Sequence, residues 1–173
     1  MNAEKKVLLR DSFYAGLVFA VIFGVIETYM ANLQFAAITA PLGGIAFGIF
    51  IYFFASSKTV NKQTSLNNNG EEIILSGRAN HFKGAEAVGG KLYLLKDRLE
   101  FKSHSFNIQN HQQSIDIATI TSISFYNSLG IVPNGLQITT KYGQVEKFVV
   151  NGRKRWKEEI EKLLSGSKII TAD

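Results

Sequence analysis

The chain has 173 residues, no cysteine, and 19 Lys and Arg against 14 Asp and Glu. The missing thiol excludes disulfides, thiolate nucleophiles and cysteine-based metal sites. Charge is uneven: residues 1–57 hold three basic and three acidic side chains, whereas residues 58–173 hold sixteen and eleven, so the whole net charge of +5 belongs to the second part. A moderately basic domain suits an anionic lipid surface, and equally serves as a plain solubility device.

Residues 1–11 form a short amphiphilic lead with Lys5, Lys6 and Arg10. Residues 12–56 are almost uncharged and read as a transmembrane hairpin. A hydrocarbon layer of ~30 Å takes about 20 helical residues at ~1.5 Å each, and residues 12–31 and 35–55 supply two such lengths around a reversal at Asn32, Leu33 and Gln34. Lys and Arg flank both outer ends of the hairpin, with Lys58 and Lys62 after the second span, and the reversal has none. The positive-inside rule then expects both termini and the following domain on the cytoplasmic side. A basic start before the apolar run 13–26 also has the pattern of a signal peptide, which would leave a single span.

Gly16, Ala20 and Gly24 recur every fourth residue in the first span, as do Ala40, Gly44 and Gly48 in the second. Such small-residue seams let two membrane helices approach closely, which predicts an antiparallel pair. Pro41 lies in the first turns of the second span, where it is tolerated. Tyr14 and Tyr52 fall near one boundary and Tyr29 near the other, as an aromatic belt requires. Glu27 is the one charge inside the spans. An intramembrane carboxylate is a functional candidate by default, but this one lies ~23 Å along its span, where it reaches water at the far interface.

Residues 57–70 are polar and aperiodic, the pattern of a flexible linker with an r.m.s. span of ~20 Å. From Glu71 the period becomes two. Ile73, Ile74 and Leu75 predict a first strand ending at Ser76 and Gly77, and Gly89 and Gly90 introduce a second. Lys96 and Asp97 then form a hairpin loop that pairs Leu94 with Leu99, Leu92 with Phe101, Tyr93 with Glu100 and Lys91 with Lys102. Further strands are expected at 114–117, 121–126, 136–141 and 145–150, with Asn134 and Gly135 before one and Tyr142 and Gly143 as a turn. Asn151 can cap a closing helix with Trp156, Ile160, Leu163 and Leu164 on one stripe and Ser165 and Gly166 as its stop. The expected organisation is therefore a lead (1–11), a two-helix hairpin (12–56), a linker (57–70), a mainly β domain of about seven strands with one C-terminal helix (71–165), and a tail (166–173).

His81, His104 and His111 fall in presumed loops or strand edges without metal-ligand spacing, and read as solvated. No nucleophile–His–acid arrangement, phosphate-cradling loop or paired carboxylates appear, so the reading includes no enzyme activity, metal, cofactor or nucleic-acid partner.

The run Gly89-Gly90-Lys91-Leu92-Tyr93-Leu94-Leu95-Lys96-Asp97-Arg98-Leu99-Glu100-Phe101, the later IDIATITSISFY segment and the closing helix with Trp156 resemble the GRAM domain, a branch of the pleckstrin-homology (PH) superfold. The resemblance covers about residues 71–164. It implies a split barrel capped by a helix, and association with membranes through phosphoinositides or other anionic lipids, or through protein partners. Many lipid-binding PH domains carry a Lys, a second basic residue and then x-Arg in their first two strands. Lys83 and Lys91 can fill the first two places, and Tyr93 stands in the third. With the derived register, Arg78, Lys83, Lys91 and Lys102 are the expected headgroup-binding residues. The favoured reading is a membrane-anchored module that contacts anionic phospholipid. The alternative is an interaction subunit whose hairpin packs on partner helices or on a second copy.

Overall fold

The computed structural model describes residues 3–67, 70–84 and 86–170, with side chains from residue 5 to residue 166. Residues 1–2 of the expected lead, 68–69 of the expected linker and 171–173 of the expected tail lie outside the described residues. The chain divides into two compact units, Met1–Lys62 and Gln63–Asp173.

The first unit is built from α1 (Ala3–Met30) and α2 (Leu33–Ser56). Both are long and apolar enough to cross a bilayer, with mean hydropathies of 1.8 and 1.9. The reversal is tighter than expected, because Asn32 accepts the amide of Phe35 at 2.9 Å and caps α2 directly. The two helices meet along small residues. A methyl group built on Gly16 would lie 2.5 Å from the Gly44 carbonyl oxygen, one on Gly44 would lie 2.6 Å from the Ala20 methyl, and one on Gly24 would lie 3.1 Å from the Ala40 methyl. Phe19 stacks on Phe47 beside this line, with centroids 4.6 Å apart. Near the reversal, the Glu27 carboxylate accepts the Thr39 hydroxyl of α2. Much of the remaining surface is apolar: Phe13, Val18, Val21, Ile38, Leu42, Ile45 and Phe53 are all more than half exposed.

The stretch expected to be a linker is not a coil. It opens with a short helix, α3 (Lys58–Thr64). The domain that follows is a curled, seven-stranded antiparallel half-barrel in the order β4-β3-β2-β1-β7-β6-β5, a PH-like architecture. Its strands are β1 (Leu75–Lys83), β2 (Glu86–Leu94), β3 (Arg98–Ser103), β4 (Gln112–Asp116), β5 (Ile120–Ser128), β6 (Val132–Thr140) and β7 (Val145–Val150). A 3-10 turn at Ile117–Thr119 joins β4 to β5, and α4 (Arg153–Ile170) closes the chain.

The β2–β3 register is the expected one, Lys91 to Lys102 through Leu94 to Leu99. Several expected element bounds are corrected. Ser76 and Gly77 do not end the first strand, which runs on to Lys83 and pairs fully with β2. Gly89 and Gly90 lie inside β2, and Asn134 and Gly135 inside β6, rather than before them. Gly90 is needed for contact, since a Cβ there would collide with the Lys102 carbonyl and come within 2.7 Å of the Phe101 ring. Gly135 likewise leaves room for the Tyr126 ring, which a Cβ would meet at 2.6 Å. Tyr142 and Gly143 do form a turn, with Gly143 at φ +78°. Ser165 and Gly166 do not stop α4, which continues to Ile170.

Alternate residues of β2 and β3 (Val88, Leu92, Leu94, Leu99, Phe101) face Leu136, Ile138, Phe148 and Val150 from the other half of the sheet. Trp156 and Ile160 of α4 complete this core, with Leu163 and Leu164 packed at its margin. The Trp156 ring also fills the space over Gly77, where a Cβ would sit 3.5 Å from it. Trp156→Ala should therefore destabilise the domain by ~3 to 5 kcal/mol, as for other buried large aromatics. Chemical denaturation followed by near-UV dichroism measures this, and an unchanged midpoint would contradict the packing.

Candidate functional site

The four cations expected at a headgroup site do not all come together. Arg78 of β1 is directly opposite Lys91 of β2, and Lys91 is directly opposite Lys102 of β3. At about 4.8 Å between neighbouring strands, the three backbones lie within ~10 Å. All three side chains alternate with core residues and stand on the outer face of the sheet. Lys83 does not join them. It shares strand parity with Ala79 and His81, pairs with Glu86 at the β1–β2 turn, and so lies on the other face at the mouth of the half-barrel.

The row is bordered by an element that sequence reasoning did not anticipate. Residues 63–65 lie along the same outer face: the Tyr93 hydroxyl donates to the Thr64 carbonyl at 2.7 Å and Lys102 Nζ to the Ser65 carbonyl at 2.8 Å. The Ser105 amide donates to Gln63 Oε1 at 3.0 Å. Tyr93 is buried as a result, and Lys91 Nζ lies 5.3 Å from its ring centroid. Glu100, on the same face of β3, is engaged by Arg98 Nε at 3.1 Å and by the Gln112 amide. Arg98 also donates to Glu71 at 2.7 Å, and these carboxylates, Glu71 foremost, hold its guanidinium more firmly protonated than usual. Arg98 thus ties Glu71, Asp97 and Glu100 together beside the row.

The mouth of the half-barrel corrects the reading of the histidines as solvated. His81 is only 3% exposed, stacks on Phe148 with centroids 4.5 Å apart, and meets the edge of Phe101. Its Nε2 lies 2.7 Å from Glu146 Oε2 and its Nδ1 2.7 Å from His111 Nε2, while His111 Nδ1 faces the Gln109 carbonyl at 3.4 Å. Beside an ionised Glu146, His81 Nε2 carries the hydrogen. Only one hydrogen fits between the two rings, so they cannot both be fully protonated and stay paired. All four ring nitrogens have protein partners, so the cluster ties β1, β7 and the β3–β4 loop together rather than offering a vacant ligand. Among the described residues no group of three His, Cys, Asp or Glu side chains is arranged to hold a metal ion. The same loop is pinned to β2 by Asn107, whose side chain accepts the Gly89 amide and donates to its carbonyl, both at 2.8 Å. His104 lies over Gly89 in this loop, and burial lowers its pKa.

The shifts in the cluster share one sign. Burial lowers the His111 pKa below the ordinary histidine value, with the neighbouring His81 and Lys83 acting the same way, and the hydrogen bond from His81 lowers that of Glu146. Groups with a depressed folded pKa stabilise fully above their unfolded values and lose that contribution as pH falls through the folded ones.

No family model matches the chain, and no curated protein sequence does. Among solved structures it is similar to the C-terminal domain of an unknown protein from Leishmania infantum (18% identity, 56% of this chain and 86% of that one, TM-score 0.49). It is also similar to the Vps36 N-terminal PH domain (13% identity, 64% and 92% coverage, TM-score 0.49) and to the Slm1 PH domain solved with phosphoserine (17% identity, 54% and 96% coverage, TM-score 0.40).

The cluster predicts that the domain's melting temperature falls as pH drops below ~6.5, the ordinary histidine value. His111→Gln should flatten that part of the profile while leaving the alkaline plateau within a few degrees. A pH-independent melt between 8 and 5 would show that the cluster contributes nothing.

Proposed function

We propose that the chain is a membrane-anchored PH-like module of GRAM type, whose domain contacts anionic lipid headgroups at the cytoplasmic membrane face. The observation that carries this reading is the row Arg78, Lys91 and Lys102, set side by side on three neighbouring strands. Like charges directly opposite one another in a sheet cost stability, and an apposed anionic surface offsets that cost. The LYLLKDRLEF segment, which forms the end of β2, the turn and β3, supports the GRAM assignment.

The hairpin supports the membrane part of the reading. Its candidate spans, Lys5–Met30 and Leu33–Ser56, are 26 and 24 residues long, and exposed apolar side chains such as Phe13, Val21, Leu42 and Phe53 suit a lipid-facing surface. The basic residues outside it favour an orientation with both termini in the cytoplasm. Ser65, whose carbonyl holds Lys102, follows the end of α2 by nine residues, a covalent reach of at most ~30 Å. A tether that short gives even a weak headgroup site a high effective concentration of lipid.

Two experiments test this reading. Cosedimentation of residues 63–173 with phosphatidylserine-containing vesicles should weaken by roughly two orders of magnitude in the triple variant Arg78→Gln, Lys91→Gln, Lys102→Gln, at ~1 kcal/mol per cation. Added salt should mimic the loss, and Lys83→Gln, on the other face, should change binding least. Equal binding by the triple variant and the parent domain, with folding intact, would refute the row as the site. For topology, single cysteines at Asn32 and Asn67 should react with an impermeant thiol reagent from opposite sides of the membrane. Labelling from the same side would sink the two-span arrangement.

A further inference from the structure

The β5–β6 hairpin ends in a turn at Leu129, Gly130 and Ile131 that points two aliphatic side chains into solvent. Leu129 is 89% exposed and Ile131 80%. This is not a loose loop. Ser128 pairs with Val132 at its root, the Ser128 hydroxyl meets Asn134 Oδ1 at 2.6 Å, and the Gly130 and Ile131 amides bond back to Asn127 and Ser128. Leu129 holds φ +53°, a left-handed conformation that costs a leucine more than glycine or asparagine. A rigid turn thus carries an aliphatic side chain at a position where its backbone favours a small or polar one.

The first turn of α4 is joined to the root of this turn. Arg153 Nη1 donates to the Tyr126 carbonyl at 2.7 Å and its guanidinium lies 4.8 Å from the Phe125 ring centroid. Lys157 Nζ donates to the Ile123 carbonyl at 2.8 Å and pairs with Glu161. Between them, Lys154 and Arg155 are exposed and form no ion pair with any described residue. The first turn of α4 has no acidic residue, so these cations also oppose the helix dipole. The other prominent aliphatic tip, Ile108, differs in charge, for its amide donates to the carboxylate of Glu86.

We propose that the Leu129–Ile131 turn and the Lys154–Arg155 pair form a second contact of the domain with an anionic bilayer. Leu129 and Ile131 enter the boundary of the acyl region, and the two cations meet headgroup phosphates. An aliphatic tip near exposed cations that form no ion pair with a described residue is complementary to a surface that is anionic outside and apolar just beneath. This contact rests on the reading of the chain as a membrane protein, but it uses none of the residues of the Arg78, Lys91, Lys102 row.

The native chain has no cysteine, so a label can be placed at one site. The full chain is reconstituted in nanodiscs of phosphatidylcholine alone or with phosphatidylserine. Leu129→Cys, and separately Ile131→Cys, carries a polarity-sensitive fluorophore, and nitroxide-bearing lipids serve as quenchers. Quenching is expected in the phosphatidylserine discs and much less in the neutral ones. Adding Lys154→Gln and Arg155→Gln should lower the docked fraction roughly thirtyfold, at ~1 kcal/mol for each cation. In the Arg78→Gln, Lys91→Gln, Lys102→Gln background the label should still be quenched, so loss of lipid response at the row alone would remove that site and keep this contact. A nanodisc-embedded chain whose labels at 129 and 131 stay unquenched would overturn this contact and leave the row standing. A blue shift without lipid quenching would also overturn it, assigning the turn to a protein partner or a second copy.

Discussion

The pairing register of β1, β2 and β3 is the constraint on which both the core and the cation row depend. Side chains alternate across a sheet with a period of two, so a slip of one residue between β2 and β3 would expose Leu92 and Phe101 and bury Lys91 and Lys102. Burying two ammonium groups without partners costs far more than any hairpin turn can return. The register is therefore held by the same alternation that assembles the row. Gly90 adds to it, since its missing side chain lets β2 lie against the Lys102 carbonyl and the Phe101 ring.

The outer face, normally a solvated surface, is partly closed by the segment leading into the domain. Tyr93 is buried there because its hydroxyl reaches the Thr64 carbonyl, and the same segment takes one hydrogen bond from Lys102. That bond fixes the ammonium without neutralising it, because a carbonyl oxygen carries no net charge to cancel it. The consequence is a cation positioned by the backbone yet electrostatically available, which costs less side-chain entropy on meeting a phosphate than a freely rotating lysine does.

How much of this was legible follows from which residues carry an alternating apolar signal. The alternation of Leu92, Leu94, Leu99 and Phe101 made the β2–β3 register legible, and Phe148 and Val150 made β7 legible as a strand. The inner face of β1 carries Leu75, Gly77, Ala79, His81 and Lys83, of which only the first is a large apolar side chain, so the strand was cut short at Ser76 and Gly77. That truncation hid the cross-strand partner of Lys91 and separated Lys83 from its true place at the mouth. The histidine cluster was illegible for a different reason. His81, His111 and Glu146 are separated by 30 and 35 residues and meet only because β1 lies beside β7, a pairing that no local pattern announces. The docking of residues 64 and 65 was missed because Tyr93 and Lys102 reach their backbone carbonyls, which every sequence supplies.

The row and the turn at Leu129 differ in how they would act at a bilayer. Exposed cations at a distance from a charged surface are screened within ~8 Å at physiological salt, so the row acts only once the domain is already near. An aliphatic tip is insensitive to salt but gains nothing until it crosses the headgroup layer. Tethering supplies the proximity that the first requires, and charge attraction supplies the approach that the second requires. Each contact can then be weak by itself. A soluble domain with a net excess of five positive charges would hold a membrane poorly at physiological salt, whereas the same domain joined to a hairpin needs only to choose between lipid compositions. On the proposed reading, the anionic content of the adjacent leaflet, rather than membrane recruitment, would be the variable that such a domain reads.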